Sequence, residues 1–195
     1  MKRIDARNLN DALSLLNRRI EREGGSPVEL VVCGGAALVF TGLYERTTKD
    51  VDVLAVKNAG YGLVDPDPMP DYLVRAAETV ARTLGLPSNW LNTGPADLFR
   101  MGLPNGFETR LISHSFGSYL TVHFIGRIDQ IHFKLYASVD RGGYHIDDLL
   151  RLKPSDKELL EASRWSRTHD VSEGYMELLR GLLTDLGYEH VADQV

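Results

Sequence analysis

The sequence contains a single cysteine among its 195 residues and no long apolar run. One cysteine excludes an intramolecular disulfide framework, and Cys33 lies in a hydrophobic segment, which predicts a small buried side chain. No segment has the length and apolar purity of a membrane span or the layout of a signal peptide, so we expect a cytoplasmic protein. A chain of this length can bury a sufficient core without disulfides or a structural metal.

An excess of basic residues is also missing, since 22 Lys and Arg stand against 27 Asp and Glu, a net charge of -5. This balance argues against non-specific nucleic-acid binding through a basic surface, although a local basic patch remains open. A nucleic-acid partner such as tRNA is therefore disfavoured but retained, and small anionic ligands are compatible if a metal neutralises their site. The two commonest nucleotide-binding loops, G-x-x-x-x-G-K-S/T and G-x-G-x-x-G, are both absent.

The hydrophobic periodicity alternates between helix and strand along the first half of the chain. Leu9, Leu13, Leu16 and Ile20 recur at helical spacing, which predicts an amphipathic helix. Prolines and glycines after residue 57 predict a long loop without regular structure. The predicted elements are a helix within 8–25, a strand over 28–33, a glycine turn and helix over 34–46, a strand over 49–56, a loop over 58–71 and a helix over 70–84.

The second half combines a strand hairpin with several helices. Two short strands on either side of 116–118 predict a hairpin that extends the sheet. Further on, Ser155 and Glu158 form a capping box for a helix. We therefore expect an α+β fold with a small mixed sheet flanked by helices, in a domain over 1–153 followed by a helical C-terminal extension over 154–195. The other predicted elements are short helical turns within 86–107, a helix over about 129–139, a short helix around 147–148, and helices over 156–167 and 172–187.

Asp50 and Asp52 occupy alternating positions of the predicted strand over 49–56. Side chains at i and i+2 of a strand point to the same face about 6 to 7 Å apart, so both carboxylates enter one volume. At that distance two unit charges repel by about 2 to 3 kcal/mol at an effective dielectric of about 20, unless another group offsets the repulsion. Hard carboxylate oxygens select Mg²⁺ or Mn²⁺, which makes the pair one half of a metal site.

Gly34 and Gly35 stand between a predicted strand and a predicted helix start, a short distance before the two aspartates. Glycine backbone lets phosphates approach closely, and a helix N-terminus supplies amide donors and the positive end of its dipole. Each motif alone is more often a structural feature than a site. Their order along the chain nevertheless predicts a joint metal and nucleotide site.

The segment GGAALVFTGLYERTTKDVDVLAV, residues 34–56, resembles the signature of the DNA polymerase beta superfamily of nucleotidyltransferases. In that signature a Gly-Gly or Gly-Ser turn precedes an acid-x-acid pair on the next strand. With KLYA at 134–137 and HIDDL at 145–149, the chain is more narrowly similar to the nucleotidyltransferase-like proteins of abortive-infection toxin–antitoxin systems and a bacterial branch near them. The resemblance covers about residues 28–153 and implies a nucleotidyltransferase fold.

The resemblance also implies a Mg²⁺- or Mn²⁺-dependent reaction and roles for individual residues. Two metal ions would clamp the attacking and leaving oxygens at the α-phosphorus of a nucleoside triphosphate, with pyrophosphate as the leaving group. The implied metal ligands are Asp50 and Asp52, the implied nucleotide-binding residues are Gly34, Gly35, Arg46, Thr47, Thr48 and Lys134, and the implied catalytic residues are Asp50, Asp52, Lys134, Asp147 and Asp148.

Members of the superfamily usually bring a third carboxylate from a later strand, where this chain has His123. His123 either serves as a base or is packed structure, and the second is the commoner fate of a histidine on a strand. Asp129 is an acid by type, but its place before a helical run predicts an N-cap. Asp147 or Asp148 completes the site in the remaining interpretation.

The leading interpretation is transfer of a nucleoside monophosphate from a nucleoside triphosphate to an unknown acceptor, which is a protein, a tRNA end or a small hydroxylated compound. By resemblance, an antitoxin or toxin protein is a partner. The alternative is a catalytically silent nucleotidyltransferase fold that acts as a partner-binding or regulatory module. A small-molecule adenylyltransferase of the aminoglycoside type differs from the leading interpretation only in its acceptor. Metal-dependent binding of a nucleoside triphosphate separates the enzyme from the silent fold.

Overall fold

The structure, a computed structural model, describes residues 3–195. This part of the chain divides into two compact units, 3–126 and 127–195. None of the helices described is long and apolar enough to cross a membrane. The predicted domain boundary lies instead after residue 153, and it stays a prediction because compactness does not decide which segments fold independently.

A mixed sheet forms the centre of the first unit, which confirms the predicted α+β class. Its six strands within residues 3–126 are β1 (Val28–Cys33), β2 (Val51–Asn58), β3 (Gly62–Val64), β4 (Leu91–Asn92), β5 (Ile112–Ser115) and β6 (Leu120–Phe124). Their order is β3-β2-β1-β6-β5, and β4 pairs with β2. The neighbours of β1 differ in direction, since β2 runs antiparallel to it and β6 parallel. The hairpin of β5 and β6 is the predicted one.

Helices flank this sheet, and α1 and α3 among them bury the apolar stripes that the sequence predicts. Within residues 3–126 they are α1 (Ala6–Arg22), α2 (Gly34–Thr41), α3 (Asp71–Leu84) and α4 (Ala96–Met101), with a 3₁₀ turn over Phe107–Arg110. The stripe of α1 is fully buried at Leu9, Leu13, Leu16 and Ile20. This confirms the first predicted helix, because removal of its apolar face from water stabilises the helix in place.

Two features of the first unit differ from the predicted elements. Strand β3 lies inside the predicted loop, because the Asn58 side chain accepts the Gly60 N–H at 2.9 Å and the turn brings the chain back against β2. A three-residue strand has too little pattern of its own to be visible in a sequence. The second difference concerns the acidic strand, which begins at Val51, so that Asp50 is the residue before the strand and Asp52 lies within it.

The second unit is helical, as predicted for the C-terminal part of the chain. Its helices within residues 127–195 are α5 (Arg127–Arg141), α6 (Tyr144–Arg151), α7 (Asp156–Ser166), α8 (Glu173–Asp185) and α9 (Glu189–Ala192). The capping box of α7 is confirmed, since the Ser155 N–H donates to Glu158 at 2.8 Å and the Ser155 hydroxyl accepts the Glu158 N–H at 3.4 Å. Helix α9 was not among the predicted elements, because four residues do not establish a period.

Candidate functional site

The glycine turn and the acidic strand meet because of the register between β1 and β2. Cys33, the last residue of β1, is paired with Asp52 of β2. The chain therefore leaves β1 and enters α2 directly beside the Asp52 side chain. Helix α2 begins at Gly34, and its N-cap residue provides no side-chain capping bond. Amide groups in the first turn of a helix have no partner within the helix, so this end of α2 suits an anion.

Gly34 lies in close contact with the Asp52 carboxylate. Its φ angle is 63°, in the left-handed region that favours glycine. A Cβ atom at this position would lie 2.6 Å from Asp52 Oδ2. The turn and the acid thus form one structural unit, because the carboxylate oxygen occupies the position that a side chain on residue 34 would take.

Thr48 connects the second glycine to the other aspartate. A Cβ on Gly35 would lie 2.8 Å from Thr48 Cβ and 3.4 Å from Arg46 Nη2. The buried Thr48 hydroxyl lies 3.2 Å from both the Asp50 carbonyl oxygen and Asp50 Oδ1, to which it can donate. Thr48 was predicted to line the approach of the nucleotide. The structure gives it a further task, which is to hold the Asp50 carboxylate relative to the turn.

Asn92 is a member of the site that the sequence did not reveal. Strand β4 places it beside Asp52 in parallel register, and Asn92 Nδ2 donates to Asp52 Oδ1 at 3.2 Å. Its own Oδ1 accepts the Gly94 N–H at 2.8 Å, which fixes the orientation of the amide. The only signal in the sequence is Asn two residues before Gly, a common turn pattern that does not identify its partner strand.

The donor set fits a divalent cation. Asp50 and Asp52 are both half-buried, so each is held by the fold while part of it remains accessible. Carboxylate oxygens are the ligands that Mg²⁺ and Mn²⁺ prefer, and the start of α2 at Gly34 contacts one of them. Arg46, also half-buried, lies at the same turn and hydrogen-bonds the Thr47 carbonyl oxygen at 3.4 Å.

Lys134 and Asp148, both predicted to be catalytic, contact each other within the second unit. Lys134 of α5 and Asp148 of α6 form a buried ion pair with an Nζ to Oδ2 distance of 2.7 Å. The Lys134 ammonium also lies 5.6 Å from the centre of the Tyr144 ring. Asp147 is exposed on the other side of the same turn. The predicted catalytic roles of these residues stay predictions.

The two candidates for a third acidic or basic group are both buried. His123 of β6 lies between two partners, with its Nε2 2.8 Å from Glu29 Oε2 and its Nδ1 2.7 Å from Ser113 Oγ. Asp129 is fully buried. It is the third residue of α5, which begins two residues earlier at Arg127, so the prediction that Asp129 is an N-cap is wrong. Among residues 3–195, no group of three or more His, Cys, Asp or Glu side chains is arranged to hold a metal ion.

A family model described as "Nucleotidyltransferase of unknown function (DUF6036)" matches residues 11–177. No curated protein and no solved structure matches the chain. The matched range contains the glycine turn, the acidic strand and the Lys134–Asp148 pair. It supports a nucleotidyltransferase-like family, while the narrower resemblance to the toxin–antitoxin branch stays a prediction.

Proposed function

We propose, because the chain belongs to the DUF6036 family of nucleotidyltransferases of unknown function, that it transfers a nucleoside monophosphate from a nucleoside triphosphate to a hydroxyl acceptor. The reaction requires Mg²⁺ or Mn²⁺. The family description supports the class of reaction only. The metal, the nucleotide and the acceptor are part of the proposal.

One observation carries this proposal, and it is the close approach of Gly34 to Asp52. A phosphate site and a carboxylate site that merely follow each other in sequence have no need to touch. Here a Cβ on Gly34 would come within 2.6 Å of Asp52 Oδ2, so the helix start and the carboxylate are in direct contact, and a side chain at position 34 would disturb that contact. A cation bound to Asp52 would therefore lie beside the start of α2, where the helix amide groups favour a nucleotide phosphate.

Each residue of the site then has a defined task. Asp50 and Asp52 hold the cation, Thr48 orients Asp50, and Asn92 orients Asp52. The bound metal supplies charge neutralisation at the phosphates and at the developing transition state. The amide groups at the start of α2 and the Arg46 guanidinium bind the phosphates, and this positions the α-phosphorus for in-line attack. The acceptor oxygen forms a bond to phosphorus as the bond to pyrophosphate breaks.

The proposal extends to the physiological setting through the resemblance of KLYA and HIDDL to the abortive-infection branch. In that setting an antitoxin or toxin protein is the partner, and the acceptor is a protein, a tRNA end or a small hydroxylated compound. The acidic net charge of -5 favours the protein or the small molecule over tRNA. Co-expression with a protein encoded beside this chain, followed by intact-mass measurement of both, tests the protein acceptor directly.

The primary experiment is calorimetric titration of each nucleoside triphosphate into the purified protein with and without Mg²⁺. The test variant is Asp50→Asn with Asp52→Asn. The matched control is Asp65→Asn with Asp67→Asn, which removes the same charge at the same spacing from the same unit. We expect the wild type and the control to bind one triphosphate only with Mg²⁺. The test variant should bind more than about 100-fold more weakly, since loss of even an outer partner of a metal ligand costs about 10- to 100-fold.

Two results would contradict the proposal. If no triphosphate binds to the wild type with Mg²⁺ or Mn²⁺, the chain is the catalytically silent fold of the alternative interpretation. If the test variant and the control lose affinity equally, the loss reflects net charge rather than a metal site at Asp50 and Asp52. Thermal unfolding of all three proteins shows whether each variant is folded before it is titrated.

A further inference from the structure

Three side chains on adjacent strands form a second arrangement of chemical interest, apart from the glycine turn. Ser113 of β5 is directly opposite His123 of β6, and Ser113 Oγ lies 2.7 Å from His123 Nδ1. On the other side of the ring, His123 Nε2 lies 2.8 Å from Oε2 of Glu29 in β1. The order is hydroxyl, imidazole, carboxylate, which is the arrangement that activates a nucleophile in several enzyme classes.

The carboxylate determines where the imidazole proton lies. An ionised carboxylate can only accept a hydrogen bond, so Glu29 must receive the N–H of His123 Nε2. In the neutral ring Nδ1 then has a lone pair, and this lone pair accepts the hydroxyl proton of Ser113. His123 is only 4% exposed, so its packing keeps the ring in this orientation. Ser113 itself is exposed, and its oxygen is therefore accessible to a substrate.

We propose that Ser113 is a nucleotidyl acceptor, so that the protein modifies itself. The inference rests on the proposed function, which supplies the nucleoside triphosphate, and it identifies the acceptor as a serine hydroxyl. The Ser113 oxygen attacks the α-phosphorus, the bond between the α-phosphorus and the bridging oxygen breaks, and pyrophosphate leaves. The hydroxyl proton passes to His123 Nδ1, while Glu29 stabilises the resulting imidazolium. The product is a phosphodiester between the serine and the nucleoside monophosphate.

The sheet order indicates that transfer occurs between two copies of the chain. Strands β1 and β6 lie between β2, which carries Asp52, and β5, which carries Ser113. Three strand spacings amount to about 14 Å, too far for a phosphorus held at Asp52 to be attacked by Ser113 of the same chain. All four residues of β5 are exposed, and within residues 3–195 this strand pairs only with β6. A second copy can therefore reach Ser113 from the edge of the sheet.

A mixing experiment tests the inference. Wild-type protein is the donor, and the acceptor is the Asp50→Asn, Asp52→Asn variant with a tag that separates it by mass. The two are incubated with each α-labelled nucleoside triphosphate and Mg²⁺, and the acceptor is examined by intact-mass and peptide mass spectrometry. We expect one nucleoside monophosphate on Ser113 of the acceptor. Addition of Ser113→Ala to the acceptor should abolish the label.

Ser115 provides the matched control, since it lies two residues along the same exposed strand but its hydroxyl donates to the Gly117 carbonyl oxygen. Ser115→Ala in the acceptor should leave the label unchanged. His123→Asn should reduce the rate of labelling about 100-fold or more, the usual contribution of a general base. Because His123 is buried, this variant is compared only after its thermal unfolding has been shown to resemble that of the wild type.

The possible failures are distinguishable. If wild-type protein binds a triphosphate with Mg²⁺ but Ser113 of the acceptor stays unlabelled, the self-modification is overturned and the proposed function stands. Label on Ser115 or on another residue, with Ser113 unmodified, also overturns it. If no triphosphate binds in the calorimetric experiment, the proposed function fails first and this inference fails with it.

Discussion

The chain contains two Asp-x-Asp pairs in the same unit, and they differ in what surrounds them. The pair at Asp65 and Asp67 is bound by the Arg100 guanidinium, with Nε 2.6 Å from Asp65 Oδ2 and Nη2 3.4 Å from Asp67 Oδ2. The pair at Asp50 and Asp52 accepts hydrogen bonds from the Thr48 hydroxyl and the Asn92 amide, next to the glycine turn. Spacing is the same in both pairs.

This difference shows that the spacing of two aspartates does not by itself indicate a metal site. Asp65 and Asp67 sit in a loop, and the arginine that meets them on the surface fixes that loop to α4. At Asp50 and Asp52 the fold instead provides donors that orient the carboxylates, and it brings the start of α2 against Asp52. A functional assignment therefore depends on the surroundings of the pair, which only the folded chain supplies.

The Lys134–Asp148 pair extends the comparison to the second unit. Like Asp65, Asp148 contacts a cationic side chain, but here both groups are buried. Removal of one member of a buried pair leaves an uncompensated charge away from water. Asp148, Asp52 and Asp65 thus lie in three different surroundings, and one prediction for each tests what its surroundings contribute.

The largest expected effect is that of Lys134→Met. It should lower the free energy of unfolding by about 3 to 5 kcal/mol, because Asp148 stays buried without its cation. Lys134→Met with Asp148→Leu should recover most of this loss, since both charges are then gone. Urea denaturation measures both changes. The double variant is then titrated with a nucleoside triphosphate and Mg²⁺ to test the predicted role of Lys134 in nucleotide binding. A double variant that is folded but no longer binds the nucleotide would support that role.

Gly34→Ala is expected to have an intermediate effect and sharpens the assignment of the Asp52 site. The matched control is Gly42→Ala, whose φ angle of 64° is almost the same but which has no atom within 4 Å of the added Cβ. In both variants the free energy of unfolding should fall by about 1 kcal/mol because of backbone strain. In Gly34→Ala the free energy of unfolding should fall by about 1 to 3 kcal/mol more than in the control, because the added Cβ displaces the Asp52 side chain. Equal losses in thermal or urea unfolding would mean that Asp52 moves aside without cost.

The smallest expected effect is on the pH dependence of stability, through the Asp65 carboxyl. The hydrogen bond from Arg100, together with the Asp67 N–H, holds the pKa of the Asp65 carboxyl below its ordinary value of 3.8. A carboxyl with a lowered pKa stabilises the folded state above its unfolded pKa, and this contribution is lost as the pH falls through the folded pKa. The wild type should therefore exceed Asp65→Asn in stability at neutral pH, and the difference should vanish well below pH 3.8. Urea midpoints of both proteins are measured across this pH range. A stability difference that grew on acidification would contradict the prediction.

Much of the fold was predictable because its long elements bury regular apolar stripes. Helix α1, helix α3 and strand β6 follow directly from the period of their hydrophobic residues. Strands β3 and β4 were not predictable, since two or three residues carry no period and are held by pairing with β2. The Asp129 position was wrong for a related reason, because helix ends depend on tertiary contacts as well as on capping residues.

The candidate site likewise has residues that the sequence identifies and residues that only the folded structure reveals. The glycine turn and the aspartates were identified from residue type and order, because close backbone approach needs glycine and a hard cation needs carboxylates. Arg46, which lies between them in the sequence, was implied by the family resemblance. Asn92 and the Ser113–His123–Glu29 arrangement were invisible, since each joins residues far apart in sequence through strand pairing. Strand register is decided by the whole sheet, and no local pattern encodes it.

By itself, then, the sequence determined the class of fold and the chemical types at the site, because period, turn residues and charge are local properties. Only the tertiary structure decided which groups meet. Gly34 was placed against Asp52 by the β1–β2 register, Arg100 was brought to the other aspartate pair by the packing of α4, and Lys134 was closed against Asp148 by the contact of two helices. These contacts depend on the burial of side chains and the pairing of strands over many residues, so they form only when the chain is folded.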